Sequence, residues 1–488
     1  MAATQQSEDP ELCRLRDHRD INRNPYTYVE PLVEGVDYGT RFRQREIGRV
    51  QVSSQYATGF PMSPDLLPSS GKAIFTLIAI DFPDSEGDPS LLQRAKEIAA
   101  DTSAWFEKMS QGQFEIDWRF GDRVFRVASP STSFGLEFHA STAHDLAAEI
   151  VAAADPYFDF SGVSLMWTLP PPDVAGIGMH FHKPIHPEGF EGSAHWTEGP
   201  VSQEGPVYGW GGPGRSANLN SGSWQLEHGP QIWSYYVHES LHSLGIADLY
   251  LGDNKIEGSI FDKNPTETLG PMDKWGIMSE GWHGSKTLIS WHRFLLGWLH
   301  DDQVHCVPKD RLNTREVTLV PIEREVPGVK SVMIPLSDRK LVVVESRRAE
   351  GYDSPIGEDV NFGVYDNQGK VRRKYLRDTG TSGVIVYTYD TSIHDFNGQA
   401  QMQQLEGRVP GPTWASCPAS ECNWWDPSKS LKSQGLEGNV LDPNDSNAIL
   451  VPVAYDPLLR KGDGITVEGV TIQVIESGDY DRIRLSTQ

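Results

Sequence analysis

Cysteine is scarce in this 488-residue chain: Cys13, Cys306, Cys417 and Cys422 form no CxxC pair and no Cys/His zinc spacing, which leaves no cysteine-based zinc motif. The even number allows two disulfides. Cys417 and Cys422 enclose the short CPASEC loop that a bridge could staple, the alternative being four unpaired thiols. Positive charge is also short, with 43 Lys plus Arg against 67 Asp plus Glu and a net charge of −24. Such a field repels phosphate backbones and anionic headgroups, so a nucleic-acid or membrane-surface role is disfavoured. Apolar runs such as Ala73–Ile80 stop far below the ~20 residues that cross a bilayer, so no membrane insertion is expected. The opening residues MAATQQSEDPELCRLRDHRD lack both the basic start and the apolar core of a secretion signal. Aromatic residues are plentiful: 14 Trp, 16 Tyr and 18 Phe, within 38% hydrophobic residues, exclude disorder over most of the length.

The length suits about three domains, or two with a long insertion, at ~150 residues each. Residues 1–70 are polar, carry Pro and Gly, and show no sustained periodicity, as expected of an N-terminal arm or propeptide-like segment. KAIFTLIAIDFPD then reads as a buried strand stopped by Pro83. Residues 90–109 place Leu92, Ala95, Ile98, Trp105 and Met109 on one helical face. A strand followed by a helix suggests an α/β or α+β catalytic layer over residues 71–305. Further strands are expected at QFEIDWRF and GVSLMWTLPPP, and helices at HDLAAEIVAAAD, QIWSYYVHESLHSLG and TLISWHRFLLGWL. Residues 171–230 are too rich in Gly, Pro and Ser, and too long, for an ordinary connection, and read as a functional loop. Beyond Cys306, short strands alternate with turn residues (EVTLVPI, SVMIPL, KLVVVES, GVIVYTYD, ITVEGVTIQVIE, RIRLS), the pattern of a β-rich, sandwich-like domain over 306–488.

The segment VHESLHSLGIADLY, Val237 to Tyr250, carries the chemistry. His238 and His242 lie four apart, so on a helix both imidazoles leave one face and can bind one metal ion, with Glu239 beside the water to be activated. Gly245 can take positive φ and cap the helix, turning the chain so that Asp248 offers a carboxylate as third ligand. Two surface histidines on an amphipathic helix would leave Gly245 and Asp248 at these offsets unexplained. A rival scheme takes the third ligand from a later element, Glu257 or Glu267. In GIMSEG, Met278 is placed for a tight turn beneath the metal, although an ordinary core methionine would read the same.

At HExxHxxGxxD with its Met turn, the chain resembles the immune inhibitor A-like secreted metallopeptidases, relatives of the metzincins. The resemblance extends in order through IDFPD, WFEKMSQGQFEIDW, HESLHSLGIADLY, WGIMSEG, SWHRFLLGWL, LVVVESRR, GYDSPI and GVIVYTYD, covering about residues 71–390. It implies an α+β zincin-like catalytic domain, Zn²⁺ held by His238, His242 and Asp248, Glu239 as catalytic base, stabilisation by Ca²⁺, protein or peptide substrates and action outside the cell. Where the family continues into an acidic stretch after the aspartate, this chain has Leu249, Tyr250, Leu251 and Gly252.

Three weaker features remain. His180, His182, His186 and His195 crowd one segment without ordered ligand spacing, as a His-rich loop also would. Asp81 to Asp88 (DFPDSEGD) offers hard oxygen ligands for Ca²⁺, or forms a solvated acidic turn. Tyr250, Trp282 and His283 are candidate donors to a developing oxyanion. The expected function is zinc-dependent endopeptidase. The alternatives are an inactive peptidase-like adhesion or binding protein that works through its β-rich region, and a zinc amidase or glycan-directed hydrolase.

Overall fold

The computed structural model describes residues 9–17, 29–31, 49–51, 57–62, 67–134, 146, 149–174, 179–181, 201–202, 205–206, 216–219, 231–249, 272, 275–279, 285–357, 364–365, 371–373, 382–393, 399–403, 413–416, 448–451 and 457–487. The chain divides into two units, one of residues 17–247 with 295–298, the other of 1–16, 248–294 and 299–488.

In the first unit, strand β1 (Gly71–Asp81) sits inside a sheet with β2 (Phe114–Phe120), β3 (Phe125–Arg126), β4 (Leu165–Leu169), β5 (Met179–Phe181) and β6 (Ser216–Leu219). The order is β2-β1-β4-β6-β5, with β3 on the end of β1, and every pair is parallel except β6 with β5. The near-continuous apolar run of β1 is buried without a break from Phe75 to Asp81, as an interior strand of a mostly parallel sheet requires. Helix α1 (Ser90–Met109) covers this sheet through Leu91, Ala95, Ile98, Ala99, Thr102, Trp105, Phe106 and Met109. Leu91, not Leu92, completes the buried stripe; Leu92 is half-buried one position off its axis. At the helix end, Trp105, Phe106, Phe114 and Trp298 form an aromatic cluster with centroids 5.1–6.4 Å apart. Helix α2 (Trp233–Ser243), which carries the HExxH segment, belongs to the same unit.

In the second unit, one sheet runs β7 (Val304–Cys306), β9 (Ser331–Pro335), β10 (Lys340–Arg348), β11 (Ser382–Asp390) and β12 (Ala400–Met402). Another contains β8 (Arg315–Leu319), β15 (Asp481–Thr487), β14 (Val470–Ser477) and β13 (Gly464–Val467), in that order. Their apolar faces share one core that includes Val332, Ile334, Val342, Val344, Leu319 and Ile472. The segment read as ITVEGVTIQVIE is the β13–β14 hairpin, whose two-residue turn places both Glu468 and Gly469 at positive φ. The helix expected at TLISWHRFLLGWL shortens to α3 (Ser290–Leu295), ended before Gly297 at φ +76°.

A buried ionic network ties the stretch before α3 to β10. Arg347 pairs bidentately with Asp353 at 2.6 Å and with Glu345 at 2.7 Å, and donates to Ser285 Oγ and the Trp275 carbonyl. Burial pushes the Asp353 carboxyl above the ordinary carboxylate range against the pull of Arg347. Cys13, in the turn Pro10–Cys13, is bonded to Cys306 on β7, 293 residues away. The sequence left these two cysteines unassigned, and the Cys417–Cys422 bridge it suggested lies outside the described residues. No helix among the described residues is long and apolar enough to cross a membrane.

Candidate metal centre

Helix α2 is buried on all sides from Ser234 to Ser243. It is held against the sheet by Tyr236, whose ring lies 4.4 Å from that of Trp167 on β4 and whose hydroxyl donates to the Thr168 carbonyl at 3.3 Å. Tyr235 adds a second, edge-on contact with Trp167 at 6.0 Å. The four-residue offset brings His238 and His242 together, with ring centroids 5.1 Å apart and planes at 88°.

The ligand atoms of His238, Glu239 and His242 all lie within 4.8 Å of one another, and all three side chains are buried. This is the only such group of three among the described residues. His242 Nδ1 lies 2.7 Å from the Ile246 carbonyl, which can only accept. The ring therefore donates through Nδ1, which in the neutral imidazole leaves the lone pair on Nε2; such an outer hydrogen bond is the one metal-binding histidines commonly use. Glu239 Oε2 lies 3.9 Å from that Nε2, beside the donor pair. Two imidazoles with a carboxylate next to them suit Zn²⁺, which takes nitrogen and oxygen ligands at ~2.0–2.2 Å.

The turn after α2 forms as the glycine implied. Gly245 has φ +90°, its N–H donates to His242 O at 2.9 Å, and the Ile246 N–H donates to Leu241 O at 3.0 Å. This is the paired Schellman closure, and Ile246 and Leu241 are both buried. Two residues of the N-terminal region bond to the same turn: Ala57 N–H donates to Gly245 O at 2.7 Å, Ala57 bridges Ile246 in parallel, and Leu67 N–H donates to Ser243 O at 3.0 Å.

Asp248 opens the next stretch of the second unit. It is buried, and its carbonyl accepts from Gln399 Nε2. Leu249 N–H donates to the Met278 carbonyl at 2.9 Å, while Ser279 N–H closes a turn on Gly276 O at 2.9 Å. Met278 is thus fully buried in a tight turn hydrogen-bonded to the residue after Asp248. The contributions of Ile246, Ala57, Leu67 and Gln399 carry no signal in sequence, since three act through backbone groups and the fourth lies 151 residues from its partner.

In the acidic turn, Asp81 makes a two-pronged pair with Arg126 at 2.6 and 2.7 Å, Asp84 accepts from Ser131, and Asp88 accepts from the Ser90 N–H. Hydrogen bonds from Ser131 and Ser90 hold Asp84 and Asp88 below the usual carboxylate range. Of the remaining candidates, His180 lies on β5 with its side chain outside the described residues, and His182, His186, His195, Tyr250, Glu257, Glu267, Trp282 and His283 lie outside them altogether. No protein-family model matches the chain, and a search of curated proteins finds no match.

Proposed function

We propose that this protein is a zinc-dependent endopeptidase that hydrolyses peptide bonds in protein substrates. The observation that carries the reading is the buried group of His238, Glu239 and His242, with His242 held in the tautomer that presents Nε2. His238 and His242 would hold the ion, with Asp248 as the proposed third ligand. When bound, zinc supplies Lewis-acid polarisation of a carbonyl and acidifies water.

Glu239 takes the water proton on its carboxylate and passes it to the leaving amine nitrogen. Its place one residue from His238 and 3.9 Å from His242 Nε2 supports that role. The Ile246 carbonyl keeps the His242 proton on Nδ1, away from the reacting side of the ring. The Cys13–Cys306 bond supports an oxidising compartment, consistent with action outside the cell.

The test is metal content together with hydrolysis of an unfolded protein. The wild type should hold about one zinc per chain, lost to a strong chelator. Glu239→Gln should keep the zinc and slow turnover by about 10²-fold or more. Absence of zinc after reconstitution, or a Glu239→Gln variant at the wild-type rate, would overturn the proposal.

A further inference from the structure

The N-terminal region reads in sequence as an arm or propeptide-like lead-in. We infer that Ala57 and Leu67, within that region, act as a positioning strap that fixes His242 through the backbone of the turn Gly245–Ile246, a role that rests on the metal reading of α2.

An α-helix leaves its last four carbonyls without intrahelical donors. Here Leu244 N–H reaches Ser240 O and Leu241 O, Ile246 N–H also reaches Leu241 O, and Gly245 N–H takes His242 O. The Ser243 carbonyl receives its donor from Leu67, and the Gly245 carbonyl beyond it receives the Ala57 N–H. One of the helix's last four carbonyls, and the carbonyl of the turn just beyond it, are thus satisfied by residues far away in sequence.

Ile246 follows the Gly245 carbonyl directly. It is paired with Ala57 on one side, and on the other its carbonyl accepts the Nδ1 proton of His242. A shift of the Ile246 peptide moves the group that sets both the tautomer and the ring plane of His242. The strap is itself anchored. Asp17, buried, accepts the Thr58 N–H on its carboxylate at 3.2 Å and donates its own N–H to Phe60 O at 3.0 Å. A continuous series of contacts therefore runs from Asp17 through Thr58 and Ala57 to Ile246 and His242 Nδ1. Outer-sphere partners of ligating histidines typically govern metal affinity by about 10–100-fold.

The experiment compares full-length wild type, Ala57→Pro and Ala57→Gly. Proline deletes the N–H that Gly245 O receives, whereas glycine keeps it and needs no extra room. Zinc affinity is read by competition with a chromogenic chelator, and ligand geometry by the visible bands of the Co²⁺-substituted protein. Ala57→Pro should bind zinc about tenfold or more weakly and shift the cobalt bands even at saturating Co²⁺, and Ala57→Gly should restore both. A purely structural role would lower thermal stability while leaving the cobalt spectrum untouched. If Ala57→Pro fails to fold, Asp17→Ala replaces it, expected to keep native near-UV dichroism and to weaken zinc binding about threefold or more. Wild-type zinc affinity and cobalt bands in a folded Ala57→Pro or Asp17→Ala protein would overturn the strap alone. A wild type that takes up neither metal would overturn the metal reading, and the strap with it.

Discussion

Replacing Gly245 tests the link between helix, turn and site with the fewest assumptions. At φ +90° a Cβ is disfavoured, and an L-residue in left-handed backbone costs about 1–2 kcal/mol. Alanine also reduces the freedom of the unfolded chain, which offsets about 0.4–1 kcal/mol. Three hydrogen bonds converge on this turn, from Gly245 N–H to His242 O, from Ile246 N–H to Leu241 O, and from Ala57 N–H to Gly245 O. Relaxing φ to avoid the strain would break them at about 1 kcal/mol each, so the chain should keep the strained geometry. The expected net loss for Gly245→Ala is therefore about 1 kcal/mol. Asn, which tolerates positive φ, should lose less, and Val, with its branched Cβ, should lose more. Urea titration followed by near-UV dichroism measures the series, and hydrogen exchange at the end of α2 localises it. Zinc affinity should fall in the same order, because the turn carries the Ile246 carbonyl that orients His242. An alanine variant as stable as wild type, or an order other than Gly, Asn, Ala, Val, would refute the reasoning.

Asp248→Ala should lower both zinc occupancy and activity, and Asp248→His should keep some metal, while Glu257→Ala and Glu267→Ala leave occupancy unchanged; metal analysis of the purified variants decides between these ligands. Removing the Cys13–Cys306 bond, which joins residues 293 apart, should destabilise the protein by about 2–5 kcal/mol, seen as an earlier urea transition in Cys13→Ala/Cys306→Ala. Burial lowers Lys330 from 10.5 to about 8, with its ammonium donating to the Pro321 and Arg324 carbonyls. Because the unfolded chain then binds the proton more tightly than the folded one, stability rises with pH through that window. The wild type should gain about 2–3 kcal/mol relative to Lys330→Met between about pH 8 and 10.5, and parallel pH profiles would contradict the assignment.

Local pattern determined a good part of this protein. The apolar run of β1, the stripe of α1, the Glu468–Gly469 hairpin and the end of α2 at Gly245 are each set by neighbours within a few residues, where periodicity and φ preference act directly. The pairing of His238 with His242, and of both with Glu239, is likewise a property of one helix, since residues four apart share a face in any helical backbone. Tertiary structure decided the rest. That Cys13 finds Cys306, that Arg347 joins Asp353 and Glu345 to Ser285 and Trp275, and that Ala57 and Leu67 close carbonyls at the end of α2 and in the turn after it are contacts between distant segments. Several of them run through backbone N–H and C=O groups, which nearly every residue carries alike. The sequence of a polar arm holds no mark of such a bond, because the donor that matters at Ala57 belongs to its peptide and not to its side chain.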